Sequence, residues 1–202
     1  MPFLSDPVLQ AMATRRSLAK VAPGAPTDEE LRELLAAVTP VADHKALRPW
    51  RLLTLRGDDR ARLGAALDAA AGVERGPGEI NTKPFRADLL IAIIASPREH
   101  PSAPVWEQHA TAAGAGHLLE LALWRAGWGV MWRTGLMVNS PEVRSLHGLA
   151  DSELLMGWLY VGSIDAQLRQ RLDESPRPAL DPGPFLGRLP AEPAGGEDQA
   201  RR

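Results

Sequence analysis

The 202-residue chain has no cysteine. That removes disulfides, thiolate nucleophiles and cysteine-ligated zinc, and it fits a reducing compartment. An excess of either charge is also lacking. The 23 Lys and Arg against 25 Asp and Glu leave a formal net charge of -2. Such a balance offers no electrostatic footprint for nucleic acid or for an acidic membrane surface. Long hydrophobic runs are missing too. The longest, Leu89 to Ala95, is far too short to span a bilayer. The opening residues, Met1 to Gln10, carry neither a basic stretch nor an apolar core of signal-peptide type. The expectation is a cytoplasmic protein.

Several chemical signatures are absent as well. The five histidines, His44, His100, His109, His117 and His147, form no HExxH or other short ligand pair, so no metal is expected. There is no G-x-S-x-G elbow and no Walker A loop. Gly114-Ala115-Gly116 contains a G-x-G, but inside a helical stretch rather than after a strand, which is the wrong context for a dinucleotide loop.

What is present is 45% apolar composition over a length that suits one domain with a core. A helix is predicted from Pro7 to Arg15, capped by Ser5 or Asp6, with Val8, Met12 and Leu18 near one face. Thr27-Asp28-Glu29-Glu30 is a capping box opening a second helix with Leu31, Leu34 and Leu35 as its stripe. A loop from Thr39 to Arg48 leads into a strand, Trp50 to Leu55, and a helix from Asp58 to Ala71. Residues 72–84 hold three glycines and two prolines and are expected to be irregular or mobile. Leu89 to Ala95, bounded by Asp88 and Pro97, reads as a strand buried on both faces.

The longest helix is predicted from Trp106 to Ala126, with Ala110, Ala113, Gly114, His117, Leu118, Leu121 and Ala122 along one face. A strand from Trp128 to Trp132, a short helix from Pro141 to Leu146 and a last strand from Leu154 to Val161 follow. Beyond Asp173 the composition predicts an extended arm, and beyond Pro190 disorder. Strands and helices mix without strict alternation, which gives an α+β class in one domain, residues 1–190, with a disordered tail at 191–202.

Two clusters of arginine and hydroxyl stand out. Arg15-Arg16-Ser17 sits where the first helix gives way, and Trp132-Arg133-Thr134-Gly135 ends a strand. Guanidinium forks match phosphate oxygens in two-pronged fashion, and a hydroxyl adds a donor. The plain alternative for the first cluster is arginine complementing a helix dipole, and for the second a salt bridge at a sheet end. A third cationic segment, Asp43-His44-Lys45-Ala46-Leu47-Arg48-Pro49-Trp50, can line a ligand or be an ordinary surface turn.

Taken together, these segments resemble the nitroreductase family, in particular its short single-domain NAD(P)H branch. The resemblance rests on an ordered series. Arg15-Arg16-Ser17 comes first, then Asp43 to Trp50, Pro84-Phe85-Arg86-Ala87, and Trp106-Glu107-Gln108. Trp132-Arg133-Thr134-Gly135, Gly157 to Gly162, and Asp181-Pro182-Gly183-Pro184-Phe185 complete it, so the match covers residues 8 to 185.

The resemblance implies a central, mostly antiparallel sheet flanked by helices, assembled as an intertwined homodimer with FMN at the subunit interface. It assigns Arg15, Arg16 and Ser17 to the phosphate and ribityl end, joined by Trp132, Arg133 and Thr134. His44 is expected from the other subunit. Pro40 falls at a further cofactor-contacting position that usually holds arginine. Ala122, Leu123, Trp124, Arg125, Ala126 and Gly127 match the branch's nicotinamide-nucleotide segment. Two departures bear on substrate range: Arg48 replaces a usual glutamine, and Ala46 replaces a usual polar residue. The implied activity is ping-pong transfer from NAD(P)H to nitroaromatic, quinone or similar acceptors, with the flavin rather than a side chain carrying the chemistry. A non-catalytic flavin-binding or flavin-storing dimer, and other flavin reactions such as dehalogenation or flavin breakdown, are the competing expectations.

Overall fold

A computed structural model describes residues 5–175 and 178–189. Ten elements matter here: α1 (Pro7–Thr14), α2 (Asp28–Val38), β1 (Trp50–Leu55), α3 (Asp58–Ala70), β2 (Leu89–Ala95), α4 (Val105–Arg125), β3 (Gly129–Arg133), α5 (Pro141–Leu146), β4 (Leu154–Gly162) and α6 (Ala166–Glu174). The four strands form one sheet in the order β1-β2-β4-β3, and every pairing is antiparallel. The fold is α+β, as expected, and no helix among the described residues is long and apolar enough to cross a membrane.

Helices cover both faces of the sheet. Alternate residues of a strand point to opposite sides. Leu89, Ile91 and Ile93 of β2 therefore pack with Leu31, Leu119 and Leu123 from α2 and α4. Leu90, Ala92 and Ile94 pack on the other side with Leu63 of α3 and Val143 of α5. Every residue of β2 is buried, which is why the sequence there is apolar without alternation. The capping box at α2 forms as read: Thr27 Oγ1 accepts from the Glu30 amide, and Glu30 Oε2 accepts from the Thr27 amide.

Several expectations are adjusted. Val8 and Met12 of α1 stand 60% and 55% exposed; the two-turn helix meets the body through Ala11 instead. The buried face of α4 is Gln108, Thr111, Ala112, Ala115, Gly116, Leu119, Glu120 and Leu123. The stripe from Ala110 to Ala122 lies on the opposite side and is half-exposed or exposed, because α4 is apolar on both faces. A helix that the sequence reading did not include, α6, occupies Ala166–Glu174. It buries none of its residues fully, and its one apolar pair, Leu168 and Leu172, is half-buried; its other readable signal is Asp165, whose carboxylate accepts from the Leu168 amide at 2.7 Å.

Residues 72–84 are irregular but pinned. Arg75 grips Asp68 of α3 with both prongs of its guanidinium, and Asn81 Nδ2 donates to the same carboxylate at 2.8 Å. The described part of the arm, residues 178–189, is exposed and makes one turn at Gly183–Phe185. The expected boundary at 190 and the tail at 191–202 lie outside the described residues.

Candidate functional site

The two arginine clusters meet in space. After α1 the chain extends, and Ser17 forms a parallel bridge with Val130 of β3. The Leu18 amide donates to the Val130 carbonyl at 2.9 Å. Arg15-Arg16-Ser17 therefore runs beside the strand that ends in Trp132, Arg133 and Thr134. Arg133 closes the junction by donating from Nη2 to the Ala19 carbonyl at 3.0 Å.

Arg15 is aimed from below. Its Nη1 lies 3.1 Å from Oε1 of Glu120 and 3.4 Å from the Ser17 hydroxyl. Glu120 is only 3% exposed. A carboxylate buried to that degree needs a cation or several hydrogen bonds, and Arg15 supplies one. The sequence signal was available: Glu120 is the single charge within Leu118 to Leu123.

Arg16 turns the other way, since consecutive residues of an extended segment point to opposite sides. Its guanidinium donates to the Ser175 carbonyl after α6. There it lines a cavity of about 880 Å³ bounded by α1, the end of α4 and α6, together with Trp124, Arg125, Gly127 and Arg169. Of the segment matched to nicotinamide nucleotide, Trp124, Arg125 and Gly127 reach the cavity. Leu123 is wholly buried in the core, Ala122 is half-buried and Ala126 is exposed.

Trp132 is seated by two glycines. Its ring covers Gly116 of α4 so closely that a Cβ there would lie 2.7 Å from the indole. Its Nε1 donates to the Met156 carbonyl at 2.9 Å, and the His117 ring tilts against it at 4.9 Å between centroids. Gly157 has φ +119, and a Cβ there would meet the Arg133 carbonyl at 2.5 Å. Glycine is the residue that allows β4 to pass this close to the end of β3. Thr134 is exposed at the rim.

Arg133 lies with its Cζ 5.2 Å from the centre of the Tyr160 ring. Burial pushes the Tyr160 phenol up, so the ring stays neutral beneath the cation. The Nε–H of Arg133 is buried and has no hydrogen-bond partner among the described residues. An unmet donor of this kind is costly, about 1–3 kcal/mol and more when the group is charged. A buried cationic donor left unmet fits an anionic group such as a phosphate.

The remaining site residues stand at the other end of α4. His44 Nδ1 is 2.8 Å from Oε2 of Glu107, in the first turn of that helix, and the Thr111 hydroxyl donates to the Ala42 carbonyl at 3.1 Å. Pro40 is exposed at the root of the same loop. Lys45, Ala46 and Arg48 all have positive φ, at 66°, 51° and 50°. Three non-glycine residues in that region are strained. Asp43 offsets the strain by accepting from the Leu47 and Arg48 amides at 3.2 and 2.7 Å. Lys45 and Arg48 are exposed and have no ion-pair partner among the described residues. Glu107 and Glu120 are thirteen residues apart on one helix, about 20 Å at 1.5 Å per residue. One chain alone therefore does not bring His44 to Arg15.

Residues 12–163 match the Nitroreductase family. A protein of Escherichia coli (strain K12) named "Putative NAD(P)H nitroreductase YdjA" is 31% identical over 182 residues, covering 88% of this chain and 97% of that protein. A nitroreductase-like family protein from Bacillus cereus superposes with a TM-score of 0.71 at 19% identity, covering 91% of this chain and 96% of its own. A mutant of the FMN and NADPH-dependent nitroreductase NfnB from a Sphigopyxis strain superposes with a TM-score of 0.69 at 15% identity, covering 90% and 98%.

Proposed function

The chain belongs to the nitroreductase family, and from that premise we propose that it is an FMN-dependent oxidoreductase of the cytoplasm. It takes hydride from NAD(P)H and passes it to nitroaromatic, quinone or similar electrophilic acceptors in ping-pong order. The observation that carries the FMN assignment is the Ser17–Val130 bridge, which runs Arg15 and Ser17 alongside the strand that ends in Arg133, whose buried Nε–H has no partner among the described residues. These three residues, with the Thr134 hydroxyl, are assigned to the phosphate and ribityl end, where charge-assisted hydrogen bonds are strongest. Arg16 adds positive charge from the neighbouring cavity, and Trp132 gives the site a rigid aromatic wall.

FMN, when bound, supplies the redox chemistry itself. The chain supplies binding, orientation and charge. The second half of the site comes from a partner subunit. The exposed stripe of α4 is built from Ala110, Ala113, Gly114, Leu118 and Leu121, small or apolar side chains that suit a helix-to-helix contact. Gly114 stands seven residues after Glu107 and six before Glu120. Antiparallel pairing of two α4 helices about Gly114 therefore sets the Glu107 end of one chain level with the Glu120 end of the other. The partner subunit's His44 and Pro40 then face this chain's Arg15, and the cationic Lys45 and Arg48 favour negative charge on the ligand or the acceptor.

Binding of FMN to the purified chain, followed by flavin absorbance under NADH and under NADPH, tests the reading. A yellow dimer bleached by either donor supports it. Arg15→Ala or Arg133→Ala is expected to weaken FMN binding by about 1.5–3 kcal/mol, the worth of a hydrogen bond to a charged group. Colourless protein whose Tm does not respond to FMN sinks the proposal. A bound flavin that stays oxidised under both donors supports the storage alternative.

A further inference from the structure

Glu107 belongs to none of the residue sets assigned to FMN above, yet it decides how His44 can act. Its carboxylate oxygen lies 2.8 Å from His44 Nδ1. A carboxylate only accepts hydrogen bonds, so Nδ1 must carry the proton in this contact. Of the two neutral tautomers the contact admits only Nδ1–H, and Nε2 is the one nitrogen left to meet anything else. The half-exposed ring stands on a backbone fixed independently of this contact. Asp43 clamps the Leu47 and Arg48 amides, and Thr111 ties the Ala42 carbonyl to α4. The ring itself is half-exposed, so among these contacts the one that selects its orientation is the bond to Glu107.

We propose that Glu107 is a positioning residue that reserves Nε2 of His44 for the ligand, fixing both the tautomer and the orientation of the imidazole in the site. The inference rests on the FMN reading for the identity of the ligand and on the Glu107–His44 contact for the geometry. A second-layer carboxylate behind a histidine is a general device for setting which ring nitrogen faces outward. Here the two parts come from different elements, the His44–Ala46 turn and the first turn of α4. In that tautomer Nε2 is an acceptor, complementary to a hydroxyl or ring N–H of the flavin.

Two measurements on the full-length dimer test this. The ¹⁵N shifts of His44, read without FMN, are expected to report the Nδ1–H tautomer in the wild-type chain and in Glu107→Gln, whose amide oxygen can still accept. In Glu107→Ala the signal is expected to become a mixture. FMN titration is the second readout. His44→Gln places an amide near the Nε2 position and is expected to bind FMN close to the wild-type level. His44→Asn, whose amide lies near Nδ1, and Glu107→Ala are expected to raise Kd roughly two- to tenfold, the worth of one hydrogen bond. The proposal is overturned if the wild-type ring is the Nε2–H tautomer, or if His44→Asn retains affinity and His44→Gln loses it. It is equally overturned if Glu107→Gln behaves like Glu107→Ala. Failure of the wild-type chain to bind FMN overturns the functional reading instead, while the tautomer measurement still decides for or against the hold of Glu107 on Nδ1.

Discussion

The carboxylate of Glu120, almost wholly buried in α4, lies 3.1 Å from the guanidinium of Arg15. The pair joins the turn after α1 to the C-terminal half of the longest helix. Arg15→Ala leaves the carboxylate buried with its cation gone, which is expected to cost about 1–3 kcal/mol. Neutralising the stranded group should restore most of that. Denaturant unfolding of Arg15→Ala and of the Arg15→Ala, Glu120→Gln double variant measures it. Equal instability of the two would show that the buried charge is not the source of the loss.

Gly116 is expected to resist substitution, even though alanine is the better helix former. The gain in helix propensity is about 1 kcal/mol. Against it stands a Cβ placed 2.7 Å from both the Trp132 indole and the Ile93 side chain, and overpacking of this kind costs about 1–3 kcal/mol. Gly116→Ala should therefore lower Tm and alter the near-ultraviolet circular dichroism of Trp132. A variant as stable as the wild type, with an unchanged spectrum, would contradict the packing described here.

Acid should destabilise the chain in two separate windows. His147 donates from Nδ1 to the Val143 carbonyl at 2.8 Å, and its Nε2 accepts from the Trp158 indole at 3.0 Å. Burial, with a smaller contribution from the charge on Arg51, holds this imidazole below its ordinary 6.5. The unfolded chain therefore binds the proton first. Stability is complete above about pH 6.5 and falls as pH drops through the lowered value. Glu153 is held down at about 2 by Arg51, which bonds both carboxylate oxygens at 2.7 Å. Its contribution is present above the ordinary value of 4.5 and is lost as pH falls toward about 2. Urea midpoints against pH should show both declines. His147→Gln should flatten only the upper one, and Glu153→Gln only the lower.

The Asp68 contacts make a claim about residues 72–84. Asp68→Ala removes the anchor of Arg75 and of Asn81 together. Limited proteolysis should then cut within 72–84 several times faster, with cleavage elsewhere unchanged. Equal cutting rates in the two proteins would mean that the segment is held by something other than this carboxylate.

Much of the framework could be read before any coordinates, for identifiable reasons. Leu89 to Ala95 is apolar at every position, and a strand covered on both faces needs that pattern. Thr27 and Glu30 form a local motif whose partners are three residues apart. What escaped is non-local or unpatterned. The nine residues of α6 bury none fully, and a single half-buried pair, Leu168 and Leu172, is too short a stripe to mark a helix. The stripe on α4 was legible, but not which of its two apolar faces meets the sheet. Arg15 and Arg16 are adjacent letters with opposite destinations, one toward Glu120 and the other toward Ser175. The carboxylates that aim Arg15 and His44 lie 105 and 63 residues from them in sequence. No periodicity reports a contact at that range.

The thirteen-residue interval from Glu107 to Glu120 has a consequence for how this chain can change over evolutionary time. In the proposed dimer that stretch of α4 acts as a ruler. Its length sets which end of the partner's helix stands level with Arg15, and so whether the two halves of each site meet. Each added or deleted residue would rotate one end against the other by about 100° and shift it by about 1.5 Å. Both symmetric sites would fall out of register at once. Substitutions on its outer positions leave that register intact, whereas insertions and deletions within it do not. Change in the substrates accepted is thereby channelled into the loops at its two ends.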